Sequence, residues 1–324
     1  MNAKRPTILI PGRINGRVRT RVEAEFDAIS IDAADAALLD AEARAKVDGI
    51  ASGTTIDAGF IDAFPNLSII ANFGVGYDAV DARHAATRGV MVTNTPDVLS
   101  DEVADTTVGL LLNTLREFPK AEAYLRAGRW AAEGAYPLTS LTLRGRTVGI
   151  FGLGRIGLAI ARRLEAFGLP IHYHSRTKRS DVEYPWHDSL AGLAKAVDTL
   201  IVVVPGGPAT EKAVDAGILD ALGPNGVLIS IGRGSTIDEE ALIAALSERR
   251  IAAAGLDVFA DEPNVPQALM DLPNACLLPH VASASVSTRN AMADLVVDNL
   301  AAWLDGRPAI TPVPECAGLD RKPT

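Results

Sequence analysis

The run Arg146-Thr-Val-Gly-Ile-Phe-Gly152-Leu-Gly154-Arg-Ile-Gly157 constrains the fold of this chain more tightly than any other stretch. A short apolar segment meets a glycine-spaced turn and passes at once into a helical pattern, predicted over Leu158–Phe167. In such a strand–turn–helix unit Gly152 permits the tight turn and Gly154 lets a ligand approach the backbone. Gly157 lets the helix pack closely on the strand. The N–H groups and the dipole at the helix head then favour an anion, as the pyrophosphate of a dinucleotide would supply.

The 324 residues suit two domains of ordinary size. Short apolar runs read as strands at Thr7–Ile10, Val47–Ala51, Leu67–Ala71 and Val90–Thr93, with helix-like stretches at Ala33–Lys46 and Ala79–Thr87. A second series follows through Thr147–Phe151, Ile171–Ser175, Leu200–Val204, Val227–Ile231, Ala253–Val258 and Ala275–Leu278. Runs that are apolar on successive residues belong to a parallel sheet covered on both faces. One long helix is predicted to start with Ser100 as its N-cap, and another to run from Ser287 to near Gly306. After Pro119 and Gly128 the chain reads as irregular through Pro137. The expected fold is α/β, with two Rossmann-like, doubly wound parallel-sheet lobes and a cleft between them. Residues 1–98 with 287–324 would form a substrate-binding lobe, and 99–286 the dinucleotide-binding lobe.

Composition narrows the class of function. A net charge of −9 disfavours a nucleic-acid partner, which would need a basic stripe along its phosphates. The two cysteines, Cys276 and Cys316, suit neither a disulfide framework nor a zinc site, so no metal is expected. No apolar run reaches the roughly 18–20 residues that span a bilayer, and no signal-peptide pattern opens the chain. A reduced, cytoplasmic protein with no membrane partner is the expectation.

The end of the strand after the glycine loop decides which dinucleotide fits. An adenosine ribose with a free 2′-hydroxyl is met there by Asp or Glu. Here the strand runs into Ser175-Arg176-Thr177-Lys178-Arg179, with no acid before Asp181. Three cations on an acidic protein suit a 2′-phosphate, with Arg176 as a planar fork and Ser175 as a hydroxyl donor. NADPH or NADP is therefore expected, with NADH weaker.

Three later strand ends carry reactive side chains: Ile231-Gly232-Arg233-Gly234, Asp257-Val-Phe-Ala-Asp-Glu262-Pro263 and Leu278-Pro279-His280. Reduction of a 2-oxo acid needs a cation for the carboxylate, a proton donor for the carbonyl oxygen, and a group that keeps this donor charged. Arg233 suits the first role through a bidentate pair. His280 suits the second, because imidazole titrates near neutrality, at about pH 6.5. Glu262 suits the third, since a carboxylate bonded to imidazolium favours the charged form.

With these segments in order, the chain resembles the D-isomer-specific 2-hydroxyacid dehydrogenases, and within them the NADPH-dependent glyoxylate/hydroxypyruvate reductases of bacteria. The resemblance rests on Asn72-Phe-Gly74-Val-Gly76-Tyr-Asp78, on Asn94-Thr-Pro96 followed by Glu102-Val-Ala-Asp105, and on the glycine loop with the three catalytic segments. It implies Arg233, Glu262 and His280 as catalytic residues. It also implies substrate contacts from Ser52, Gly53, Val75 and Gly76. At the cofactor it implies Thr107, Gly152, Gly154, Arg155, Ile156, Gly157, Ser175, Arg176, Thr177, Lys178, Val204, Pro205 and Thr210. Ile231, Gly232, Asp257 and Ser283 complete that set together with Arg233 and His280, with Asp257 at the nicotinamide carboxamide. Relatives of this kind are usually dimers, so an arm from Leu125 to Leu141 would wrap a partner and bring Trp130 to the neighbouring subunit's site. After His280 the run Val281-Ala-Ser-Ala departs from the glycine-containing turn of many relatives.

Glyoxylate and hydroxypyruvate are the expected substrates, because Ala51–Asp57 carries no cation for a phosphorylated tail. The alternatives are another enzyme of the family, such as a phosphoglycerate or D-lactate dehydrogenase, or a corepressor-like protein that senses NAD(P).

Overall fold

The computed structural model describes residues 5–319. The chain divides into two compact units: one holds residues up to Leu99 and those from Ser285 onward, the other Ser100–Ala284. Each is built on a sheet whose strand pairs are all parallel.

The first unit carries β1 (Thr7–Pro11), β2 (Asp27–Ile31), β3 (Val47–Ser52), β4 (Ile69–Asn72) and β5 (Met91–Thr93), ordered β2-β1-β3-β4-β5. Ile8, Leu9 and Ile10 are wholly buried on consecutive residues, the mark of a strand covered on both faces. The helix Val286–Leu304 packs on this sheet, capped by Ser285, whose hydroxyl accepts from Thr288 N. It is tied to the helix Gly16–Glu25 by ions: Arg17 Nε meets Asp294 at 2.7 Å, and Arg21 meets Asp298 at 2.9 Å. The chain after this helix stays on the same unit, where Thr93 bridges Pro312 and Val313 N donates to Val92 O.

The second unit carries β6 (Val148–Phe151), β7 (Ile171–His174), β8 (Trp186–His187), β9 (Thr199–Val202), β10 (Val227–Ser230), β11 (Ala253–Leu256) and β12 (Ala275–Leu277). Their order is β12-β11-β10-β9-β6-β7-β8. From β6 the chain winds outward to β7 and β8, then returns to β9 on the other side and winds the opposite way. That reversal leaves a crevice beyond the carboxyl ends of β6 and β9, which is where such sheets bind ligands. The opposite end is stapled by Arg146, nearly buried, whose guanidinium donates to Thr199 Oγ1 at 2.6 Å and to Asn225 O at 2.7 Å.

Several expectations change. The strands β2 and β8 carry little sequence signal because both lie at sheet edges, and β8 is only two residues long. Ala33–Lys46 does not form one helix. Asp35 and Asp40 accept from Ala37 N and Ala43 N and break it into a 3₁₀ turn, Ala36–Leu38, and a single helical turn, Ala41–Arg44. Ser100 is the first residue of the helix Ser100–Arg116 rather than its cap, although Asp101 and Glu102 do fall in the first turn. The segment after Pro119 is helical over Phe118–Arg126 and again over Arg129–Glu133. Proline in a first turn needs no N–H there and brings a preset φ, so it starts a helix as readily as it stops one.

Candidate active site

The three segments with reactive side chains leave β10, β11 and β12, neighbouring strands of one sheet, so they emerge side by side. His280 adopts the left-handed conformation, φ 53°, just after Pro279. Its Nδ1 donates to Glu262 Oε2 at 2.7 Å, and the other oxygen of that carboxylate accepts from Phe259 N at 3.0 Å. With Nδ1 engaged, Nε2 is the ring nitrogen left to exchange a proton with a ligand.

Asp257 lies just beyond β11 and is fully buried. Its two oxygens accept from Val281 N at 2.7 Å and Ala282 N at 2.8 Å, so it fastens the backbone that follows His280. Burial pushes its carboxyl above the usual range, and the two N–H bonds pull the other way. Thr106 Oγ1 donates to Ala282 O at 3.1 Å and secures the same loop from the helix Ser100–Arg116. The next residue, Thr107, expected at the cofactor, is buried, and its hydroxyl donates to Val103 O within the helix. Ser283 follows on this loop, half-buried.

Arg233 follows Ile231, which is buried, and Gly232, where a Cβ would stand 2.6 Å from Val204 O. Its Nη1 donates to Gly232 O at 2.9 Å. Gly234 is required next: a Cβ there would sit 1.9 Å from the Phe259 carbonyl and 2.5 Å from Ala260 N. The Arg233 loop and the Glu262 loop thus touch backbone to backbone.

The glycine loop follows β6. The helix begins at Arg155, with Gly154 at its N-cap, three residues ahead of the expected start at Leu158. Low helix propensity at Gly157 is overridden by packing, since a Cβ there would lie 2.2 Å from Gly152 O. A Cβ at Gly154 would meet nothing within 4 Å, so the space above this turn is open to a ligand. Ile156 is half-buried in the first turn beside Arg155. Thr210 Oγ1 donates to Pro205 O at 2.6 Å and closes the turn after Val204 at the neighbouring strand end.

Of the cations expected at the end of β7, the structure diverts one. Arg179 pairs with Asp181 at 2.9 Å and donates to Leu153 O at 3.0 Å, tying this turn to the glycine loop. Ser175 Oγ donates to Thr177 O at 2.8 Å and shapes the turn. Arg176 and Lys178 are exposed, and among the described residues neither has an ion-pair partner.

In the first unit, Ser52 is buried and exchanges hydrogen bonds with Thr54, while Gly53 is exposed. Asn72 donates to Gly76 O at 3.0 Å and Asn94 to Val75 O at 2.7 Å. These amides hold the carbonyls of the Val75–Gly76 loop, and among the described residues no acceptor takes its two N–H groups. Both asparagines stand in motifs quoted for the resemblance, which assigned them no role. Trp130 lies on the helix Arg129–Glu133, 62% exposed. Among the described residues no group of three or more His, Cys, Asp or Glu could hold a metal, and no helix is long and apolar enough to cross a membrane.

Two parallel α/β units, a glycine loop at the switch point and a carboxylate–imidazole pair at adjoining strand ends define a dinucleotide-dependent oxidoreductase. The family described as D-isomer specific 2-hydroxyacid dehydrogenase, NAD binding domain, matches residues 108–282, and the chain belongs to it. It is 48% identical over 270 residues to a glyoxylate/hydroxypyruvate reductase A of Arabidopsis thaliana, covering 83% of this chain and 85% of that one. A hydroxyphenylpyruvate reductase of Plectranthus scutellarioides is 50% identical over 262 residues, covering 81% and 83%. The structure resembles that of an NADPH-dependent glyoxylate/hydroxypyruvate reductase from Sinorhizobium meliloti in complex with NADP and malonate. Identity there is 61% and the TM-score 0.97, over 99% of this chain and 100% of that one.

Proposed function

We propose that this protein is an NADPH-dependent reductase of small 2-oxo acids, glyoxylate and hydroxypyruvate, yielding glycolate and D-glycerate. The observation that carries this reading is the His280–Glu262 pair, seated beside the Arg233 loop in a unit that ends β6 with a phosphate-binding turn. The residues present fit the cofactor. Open space above Gly154 admits the pyrophosphate, the helix head from Arg155 favours its charge, and Arg176 with Lys178 are available to a 2′-phosphate. When bound, NADPH supplies the hydride that reduces the carbonyl carbon.

The protein's own part is positioning and proton transfer. Arg233 holds the substrate carboxylate and fixes the direction of the carbonyl. His280 donates a proton from Nε2 to the carbonyl oxygen, while Glu262 at Nδ1 stabilises the imidazolium and sets the ring's orientation. Asp257 keeps the His280 loop in place by its two backbone bonds. The uncommitted N–H groups of Val75 and Gly76 are further donors for a carboxylate.

Initial rates with a panel of 2-oxo acids against NADPH and NADH test the reading. Glyoxylate and hydroxypyruvate should lead with NADPH, ahead of 3-phosphohydroxypyruvate, pyruvate and hydroxyphenylpyruvate. Absence of turnover with every acid would end it. His280→Ala should lower kcat by about 100-fold or more with little change in KM, and Arg233→Ala should damage both. Near-parental kcat in His280→Ala across neutral pH rejects the acid role.

A homodimer is part of the same reading. Leu138 is 99% exposed, and Leu125, 54% exposed, lines one hollow with Trp130; water disfavours apolar side chains left open in this way. Function inside the cytoplasm agrees with a reduced pair of free thiols, Cys276 and Cys316.

A further inference from the structure

The Phe259–Ala260 backbone is gripped from three sides. Phe259 N donates to Glu262 Oε1 at 3.0 Å, Ala260 N donates to Glu239 Oε1 at 3.2 Å, and the peptide between them rests on Gly234. The Phe259 ring anchors it in the core of the unit. Two successive N–H groups therefore meet two carboxylates, one of which also holds His280 Nδ1. Glu239 is half-buried in the first turn of the helix Glu239–Ser247, but it does not serve that helix as a cap. Asp238 does so by accepting from Ala241 N, and Asp238 also faces Lys212 at 3.7 Å. The Glu239 carboxylate is spent instead on a neighbouring loop.

We propose that Glu239 is a positioning residue for the acid–base pair: by holding Ala260 N–H it fixes the loop that seats Glu262 against His280. This rests on the reading of Glu262 and His280 given above. The buried Asp257 faces the pair, Arg233 stands on the loop that touches theirs at Gly234, and beside Glu239 in the chain are Asp238, itself facing Lys212, and Glu240; none of them makes the bond to Ala260. When this bond is lost, Glu262 drifts from His280 and the imidazolium loses part of its stabilisation. Reduction needs the protonated ring, so the alkaline limb of the kcat/KM profile should move to lower pH.

Glu239→Asp keeps the charge but withdraws the carboxylate by one methylene, whereas Glu239→Gln keeps an acceptor oxygen and removes the charge. In pH profiles of glyoxylate reduction with saturating NADPH, Glu239→Asp and Glu239→Ala should lose about tenfold in kcat with the alkaline limb displaced. Glu239→Gln should stay within about twofold of the parent, as should Glu240→Ala on the exposed neighbour. The Kd for NADPH, from fluorescence titration, should be unchanged throughout. An unshifted profile in Glu239→Asp, or a Gln variant as impaired as the Asp variant, overturns the proposal. His280→Ala in the same assay separates the two readings. If it keeps kcat the acid–base assignment has failed, and if it loses kcat while Glu239→Asp does not, only the positioning role has failed.

Discussion

At the scale of single residues, the turn after β7 shows how tertiary contacts reassign side chains that look equivalent in sequence. Arg176, Lys178 and Arg179 form one basic cluster on paper. In the fold, Arg179 is neutralised by Asp181, whose carboxyl it holds below the usual range, and it braces Leu153. On the proposed reading, cofactor choice falls chiefly to Arg176, with Lys178 as a point charge beside it. A hydrogen-bonded charge pair contributes about 1.5–3 kcal/mol, so Arg176→Ala should raise KM for NADPH by about 10- to 100-fold. KM for NADH, which lacks the phosphate, should change less than about twofold. Steady-state kinetics with both cofactors decide this, and an equal loss for both removes Arg176 from the phosphate site.

At the scale of elements, the glycine loop works because strand and helix approach more closely than side chains allow. Gly157→Ala would force a Cβ to 2.2 Å from Gly152 O, backbone against backbone, with no flexible atom to yield. The helix Arg155–Glu165 must then shift off β6, taking its head away from the pyrophosphate position. Overpacking of this kind costs about 1–3 kcal/mol, which a urea midpoint would register. Affinity for NADPH should fall more than about tenfold, as titration would show. Adding the same methyl at Gly168, where φ is +71° but a Cβ meets nothing within 4 Å, strains the backbone without touching the loop. That variant should lose stability and keep its cofactor affinity.

At the scale of the whole molecule, charge links the chain's two ends. Arg17 and Arg21, near the start, hold Asp294 in the helix Val286–Leu304, and the Arg17 bond chiefly draws the Asp294 carboxyl below its usual range. A carboxyl lowered on folding contributes stability that is present above its unfolded pKa, about 3.9, and lost as pH falls through the lowered value. Asp294→Asn should therefore be destabilised at pH 7, with its urea midpoint converging on the parent's as pH drops below about 4. A constant gap down to pH 2 would show that the ion pairs are not the cause. Assembly belongs to this scale too. Leu138→Asp places a charge on the most exposed large apolar side chain among the described residues, and light scattering should show the proposed dimer shifting toward monomer at micromolar concentration. A dimer undisturbed by this change and by Trp130→Asp is joined through another face.

The parallel α/β architecture and the position of the phosphate turn could be read from the chain alone, because both depend on local patterns: apolar runs on successive residues and glycines at fixed spacing. That Arg233, Glu262 and His280 leave one edge of the sheet could be expected because each follows a strand, and strand ends of a parallel sheet share one edge. Edge strands β2 and β8, the helix with Pro119 in its first turn, and the bond from Thr106 to Ala282 were hidden, since neighbours outside these segments help to settle them. The same holds for Gly234 beneath Phe259 and for the Glu239 bond to Ala260. Composition and periodicity say which residue types a strand or helix can carry. Which polar atom meets which is decided only when the sheet brings β10 and β11 together, because hydrogen bonds and close packing act over a few ångströms, whatever the sequence separation.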